Sequence, residues 1–350
     1  MKQKKLLPLL LCLSLLFPLA SCARGGGDHD NLETPPPPAD SQPADSGTPA
    51  ADPVRFTVLS GPTGVGAAKL LSDVDAGTAG QNYEYTIAAA NDELTSMLSN
   101  GETDLATMAS NVALNYYNKT SGSVTVIALG TLGVLHILEG GGGTSINSVA
   151  DLAGKTILAP GQGANPEYAL RHILSENGLD PDEDVTLEFY TDAAEITAKL
   201  LSGEAECAML PVPAATAAIA KSEGSVRAAL DLTEAWDALD SGSRLIMTAV
   251  VARTAFLEEH PEAVDAFLAD YAASIDYVNN NIEEAAQLVA GYGITPSAAI
   301  AAQAIPQCHL VCITGADMAP AIDGYYRVLY QANPDSIGGS LPDDGFYYVP

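Results

Sequence analysis

Residues 155–213 leave this chain few folds to choose from. Three short apolar runs, 155–160, 185–190 and 207–210, alternate with two helical patterns, 166–177 and 193–201. Strand, helix, strand, helix, strand is the alternation of an α/β protein with a parallel sheet and crossover helices. Such crossovers are right-handed, so the loops that follow the strands leave from one edge of the sheet. Open α/β sheets hold their ligands on that edge. Here it carries Gly161-Gln162-Gly163-Ala164-Asn165 and Pro211-Val212-Pro213.

The same unit occurs upstream. Residues 92–106, DELTSMLSNGETDLA, read like residues 194–208, AEITAKLLSGEAECA. In both, an amphipathic helix stops at a glycine, Gly101 or Gly203, of the kind that closes a helix in the left-handed conformation. An acidic residue and a strand follow. Two copies of one helix–glycine–strand unit predict two α/β lobes built alike.

The first lobe opens with a strand at 54–59 and the turn Ser60-Gly61-Pro62-Thr63-Gly64-Val65-Gly66 before a helix at 67–74. It is not a phosphate loop, because Gly66 is followed by Ala67-Ala68-Lys69 and not by Lys and Ser or Thr. The glycine spacing of a dinucleotide site is also missing. The turn is either a tight connection or a place where backbone N–H groups meet a polar ligand closely. Strands at 83–89, 104–108 and 124–129 complete the lobe, with Ser110 and Asn111 opening a helix at the end of the third.

Residues 134–138, VLHIL, read as a crossing into the second lobe, and His136 on them as a core histidine or a ligand contact. A strand is predicted at 226–232. The apolar run 244–252 lacks helical periodicity and has the length to return to the first lobe. Crossings near 131–138 and 247–252 would form a hinge between lobe one (54–133 and 252–350) and lobe two (134–251). The remainder reads as helical, with a break at Pro261.

Ahead of this body, Lys2, Lys4 and Lys5 precede an apolar stretch at 6–17, the pattern of a secretory signal over residues 1–21. Residues 22–53 are rich in Gly, Pro, Ser, Ala and Asp, as in a flexible tether. The chain has 15 Lys and Arg against 44 Asp and Glu, a net charge of −29. Such a surface disfavours nucleic acid and anionic lipid head groups. Cys207 falls where the upstream copy has Leu105 and reads as buried. Cys308-His309-Leu310-Val311-Cys312 has no zinc-site spacing and reads as core or strand edge, with a Cys308–Cys312 disulfide left open.

Leu19-Ala20-Ser21-Cys22 resembles a bacterial lipobox, which implies cleavage before Cys22 and a lipid on its sulfur, the only anchor the chain would need. The body resembles the solute-binding lipoproteins of ABC importers, in the nitrate, sulfonate and taurine group that also holds thiamine-precursor-binding proteins. The resemblance rests on Asp151-Leu152-Ala153-Gly154-Lys155-Thr156, Gly161-Gln162-Gly163, Gly178-Leu179-Asp180-Pro181, the Leu-Ser-Gly-Glu of 201–204, Ala208-Met209-Leu210-Pro211-Val212-Pro213 and His260-Pro261-Glu262-Ala263-Val264. It implies a type II periplasmic-binding-protein fold and capture of a small solute between the lobes. It also implies delivery to a permease and ATPase, on the outer face of a bacterial membrane or in a periplasm.

The cleft loops of that family map onto Ser60, Gly61, Thr63, Gly64, Ser110, Asn111, Gly161, Gln162, Gly163, Asn165 and Pro211. None is a lysine or arginine, although anion sites often recruit one. With Glu167 and Tyr168 at the start of the following helix, this favours a heteroaromatic or other polar organic solute over a sulfonate. No cofactor and no metal is expected. The competing classes are a THI5-type pyrimidine synthase, which works through a cysteine-rich motif and an active-site histidine, and a lipid-tethered sensor. The sparse, late cysteines here do not supply that motif, and no nucleophile–base–acid set stands elsewhere.

Overall fold

The computed structural model describes residues 52–350; the leader, Cys22 and the tether up to residue 51 lie outside the described residues. Eleven strands are described: β1 Val54–Leu59, β2 Tyr83–Ala88, β3 Leu105–Ala109, β4 Val124–Leu132, β5 Leu135–Glu139, β6 Thr156–Pro160, β7 Thr186–Tyr190, β8 Cys207–Pro211, β9 Arg227–Asp231, β10 Ile246–Arg253 and β11 Leu310–Ile313. They form two sheets, β11-β4-β10-β3-β1-β2 and β7-β6-β8-β5-β9. Strands β1, β2 and β3 run parallel to one another, as do β6, β7 and β8.

The duplicated unit is real in three dimensions. Helices Asn91–Asn100 and Ala193–Ser202 end at Gly101 and Gly203, with φ of 69° and 78°. Both glycines sit in the left-handed region that a side chain resists. Each helix then leads into a strand, β3 or β8, and Leu105 and Cys207 hold matching, fully buried places.

Helices cover both faces of both sheets, and the apolar side chains form two clusters. One takes Phe56, Leu71, Phe267 and Tyr271 from the first lobe with Leu158, Leu200 and Leu210 from the second. The other takes Leu94, Met108, Leu114 and Tyr326 with Leu170, Ile173 and Trp236. Burying one such side chain stabilises the fold by roughly 1.5–3 kcal/mol. The helical tail follows the expected pattern, with helices Thr254–Glu259 and Pro261–Asn280 parted at His260.

Two expectations differ from the structure. The run 244–252 is not a return segment. Strand β10 lies wholly in the first sheet, between β3 and β4, and antiparallel to both. The second crossing is therefore residues 232–245, and the lobe boundary falls near 245 and not at 251. A run that is apolar throughout suits a central strand buried on both faces as well as it suits a long connector. Residues 310–313 form β11, which adds an edge to the first sheet, and Cys308 ends the turn before it. Cys207, Cys308 and Cys312 are free thiols.

The first crossing is only Gly133-Val134. A Cβ on Gly133 would stand 2.3 Å from Thr233 Oγ1 and 2.8 Å from a methyl of Leu245, so the two crossings touch there. Gly133→Ala is expected to destabilise the protein by about 1–3 kcal/mol, the range for overpacking. Urea denaturation reads it as a lower midpoint at unchanged slope. A variant within about 0.5 kcal/mol of wild type would show that the crossings part easily.

Candidate functional site

Topology decides where the predicted loops lie. Strand β4 is parallel to β1, because both are antiparallel or parallel in turn through β10 and β3. Its carboxyl end therefore shares an edge with the turn 60–64 and with Ser110. Two residues later β5 begins, antiparallel to β8, at the carboxyl edge of the second sheet. The carboxyl edges of the two sheets thus turn toward the same gap, joined at one end by the crossings. Residues 60–64 and 110–111 lie at the carboxyl edge of the first sheet, and 161–165 and 211 at that of the second.

On the first lip, Ser60 N donates to Ala88 O at 2.9 Å and Gly64 N to Gly61 O at 3.0 Å, which closes the turn. Gly61 has φ 87°, and Gly64 is packed so tightly that a Cβ would lie 2.6 Å from Leu59 O. Thr63 and Asn111 are half-buried. Ser110 is buried, and its hydroxyl donates to Ile246 O at 2.7 Å, tying β3 to β10.

On the second lip, Gly161 and Gly163 have φ of 80° and 71°. Gln162 and Gly163 are exposed. Glu167 is turned back on its own loop: Gly163 N donates to it at 2.7 Å and Arg171 Nε donates to it at 2.7 Å. Tyr168 is buried and its hydroxyl accepts from Asn333 Nδ2 at 3.0 Å, so it joins helix Asn165–Glu176 to the end of helix Met318–Ala332. Asn165 is buried with Oδ1 unpartnered among the described residues, and its amide hydrogen-bonds Tyr325. Pro211 pairs with Leu135 at the start of β5. The lips keep their exposed surface in backbone and in Gln162, while Ser110, Glu167 and Tyr168 have internal partners.

A second group of residues converges at the crossings, and of these only His136 stood out in the sequence. Thr131, His136, Thr233 and Thr248 are all at most 3% exposed. Thr131 Oγ1, His136 Nε2, Thr233 Oγ1 and Thr248 Oγ1 have no hydrogen-bond partner among the described residues. Thr131 and Thr248 are paired in register. Burial pushes the His136 imidazole below its ordinary pKa, so it is neutral near pH 7. The threonines carried no signal in the sequence, because hydroxyls in strands are common; their convergence comes from the topology.

Two α/β lobes with facing carboxyl edges and two crossings are the type II periplasmic-binding-protein fold. A family model described as NMT1/THI5 like matches residues 79–285, and the chain belongs to that family. An ABC transporter protein from Parabacteroides distasonis is 24% identical with a TM-score of 0.71, covering 85% of this chain and 98% of that one. The periplasmic aliphatic sulphonate binding protein SsuA of Escherichia coli is 17% identical with a TM-score of 0.66, covering 85% and 92%. The alkanesulfonate-binding protein SsuA from Xanthomonas axonopodis pv. citri, bound to MOPS, is 16% identical with a TM-score of 0.58, covering 84% and 96%. At these identities the likeness is one of fold. No curated protein sequence matches the chain.

Proposed function

We propose that this chain is the extracytoplasmic solute-binding component of an ABC importer. It captures a small polar or heteroaromatic organic solute between its lobes, in the manner of thiamine-precursor or sulfonate and taurine binders. The observation that carries this reading is the pair of glycine-rich lips on facing sheet edges, with unpartnered buried polar atoms at the hinge between them. A buried hydroxyl without a partner costs about 1–3 kcal/mol, and a solute that hydrogen-bonds it recovers that cost.

Closure of the lobes around the crossings completes the site, and it proceeds only if the solute prefers the closed form. No lip residue is a lysine or arginine, which favours an uncharged or weakly charged solute. Leu19-Ala20-Ser21-Cys22 supports a lipid on Cys22 that holds the protein beside its permease and ATPase. Among the described residues no helix is long and apolar enough to cross a membrane.

The thiols support binding over synthase chemistry. Burial pushes Cys207 and Cys308 up to about 12 and Cys312 up to about 11. A reactive cysteine needs the opposite shift, because the thiolate is the nucleophile.

Calorimetry against taurine, alkanesulfonates and an aminopyrimidine thiamine precursor tests the reading. One solute is expected to bind one-to-one and be recovered unchanged. Gly163→Val is expected to weaken that binding by roughly tenfold, since a β-branched residue in the left-handed region costs about 1–2 kcal/mol and moves the lip. Consumption of the solute would favour the synthase alternative, and wild-type affinity in Gly163→Val would remove 161–165 from the site.

A further inference from the structure

His309 follows the short 3-10 turn Ile305–Cys308 and precedes β11, with φ 47° and ψ 52°. Its ring touches the first crossing and the residue that leads into the second. Nδ1 is 2.9 Å from Gly133 O in the first. Nε2 is 3.3 Å from Oδ2 of Asp231, the last residue of β9. Asp231 also caps the helix Leu232–Asp237 that opens the second crossing, its Oδ1 accepting from Thr233 N at 2.7 Å. The backbone is engaged too, since Leu132 N donates to His309 O at 3.2 Å.

Both ring nitrogens therefore face acceptors, a carbonyl and a carboxylate. A neutral imidazole has one N–H and one lone pair, so either tautomer would set a lone pair against an oxygen. Only the imidazolium satisfies both contacts. The ring is held in a left-handed backbone position that non-glycine residues seldom take, which aims it at the gap between the sheets.

We propose that His309 is a positioning residue of the cleft: as an imidazolium it clamps both crossings to the tail of the first lobe, and loss of its proton lets the lobes separate. The purpose of this clamp rests on the solute-capture reading; the clamp itself does not.

The charged and titratable groups facing the ring are Asp231 of β9, Glu234 of the following helix and His136 of β5. Hydrogen bonding to Asp231 raises the His309 pKa first, against burial, with Gly133 O and the charges of Asp231 and Glu234 adding to it. Burial would raise Asp231, but the bond to His309, the charge that His136 carries in acid and the Thr233 amide outweigh it and hold the carboxyl low. A histidine with a raised pKa contributes fully below about 6.5 and loses the contribution as pH rises through its own higher value. His136 is shifted the other way, so its neutral seat is lost as pH falls below about 6.5. His309 is an imidazolium while His136 is neutral only between the lowered midpoint of His136 and the raised midpoint of His309.

The test uses the full-length protein with no solute added. Histidine ¹⁵N shifts are followed from pH 5 to 10, with small-angle scattering at matched pH. His309 is expected to show both nitrogens protonated at neutral pH and a midpoint above 6.5. The radius of gyration is expected to rise above that midpoint. Asp231→Asn, which keeps the helix cap, should lower the midpoint by roughly one to three pH units. In His309→Gln the pH-dependent rise should vanish, while in His260→Gln, a remote exposed histidine, it should persist. A His309 midpoint at or below 6.5, or wild-type scattering that is the same on both sides of the midpoint, overturns the proposal. A protein that binds none of the candidate solutes can still pass, so failure here and failure of the transport reading are distinguishable.

Discussion

Trp236→Ala is expected to destabilise this protein by about 3–5 kcal/mol, the range for removing a large aromatic from a core. Trp236 is fully buried on the second crossing, in helix Leu232–Asp237. Its ring lies against His172 of helix Asn165–Glu176, with centroids 4.8 Å apart, and edge-on to Tyr325 of helix Met318–Ala332 at 5.6 Å. Its Nε1 donates to Ser243 O at 3.2 Å, still within the crossing. Alanine would leave a cavity at the junction of a second-lobe helix, the tail and the hinge, and leave a buried carbonyl unpaired. Chemical denaturation measures the loss, and Trp236→Phe should retain more than half of the lost stability. A loss below about 1.5 kcal/mol would mean that the helices collapse into the gap, as some cavities permit.

Asp104→Asn is expected to cost about 3 kcal/mol. Asp104 is 3% exposed and follows the duplicated helix–glycine unit. Its carboxylate accepts from Arg55 Nε at 2.9 Å, Arg55 Nη2 at 2.5 Å and Arg253 Nη2 at 2.7 Å, so it joins β1 to β10 across β3. Removing one partner of a buried ion pair typically costs about 3–5 kcal/mol. The arginine side chains are 37% and 26% exposed, and solvent screening sets the expectation at the low end.

The acid dependence has a defined sign. Burial would raise the Asp104 carboxyl, but hydrogen bonds from Arg55 and Arg253 outweigh it and hold the pKa low. Its contribution is present above the ordinary carboxylate value of about 4 and is lost as pH falls through the lowered one. Asp104→Asn should therefore show a shallower loss of stability in acid than wild type. It should not be flat. Burial would raise Glu139 as well, but donors from Ser145, Ile146 and Arg227 hold it at about 2, and it titrates in the same direction. Identical acid profiles for variant and wild type would place the Asp104 network outside the folding balance.

Much of the architecture was legible in the chain. Apolar runs of strand length between helical periods identified β6, β7 and β8, and Gly101 and Gly203 marked the ends of two helices whose left-handed caps the structure contains. Strand β10 was misread as a connector because its apolar run looks the same whether it spans a gap or fills a sheet. Tyr168 and Glu167 stood next to the lip in sequence, yet their partners, Asn333 and Arg171, turn them away from a simple ligand role. His309 lay unnoticed within a cysteine motif, 176 residues from the carbonyl it contacts.

Sequence alone determined most of the local grammar: the strands and helices of the repeated units, where glycine must bend the chain, and which family the order of motifs belongs to. These depend on neighbours within a few residues, where periodicity and backbone preference act. The tertiary structure decided the lobe boundary, the contact between the crossings and the three-way grip of one imidazole. Those depend on strand order and on side chains far apart in sequence, which no local pattern records.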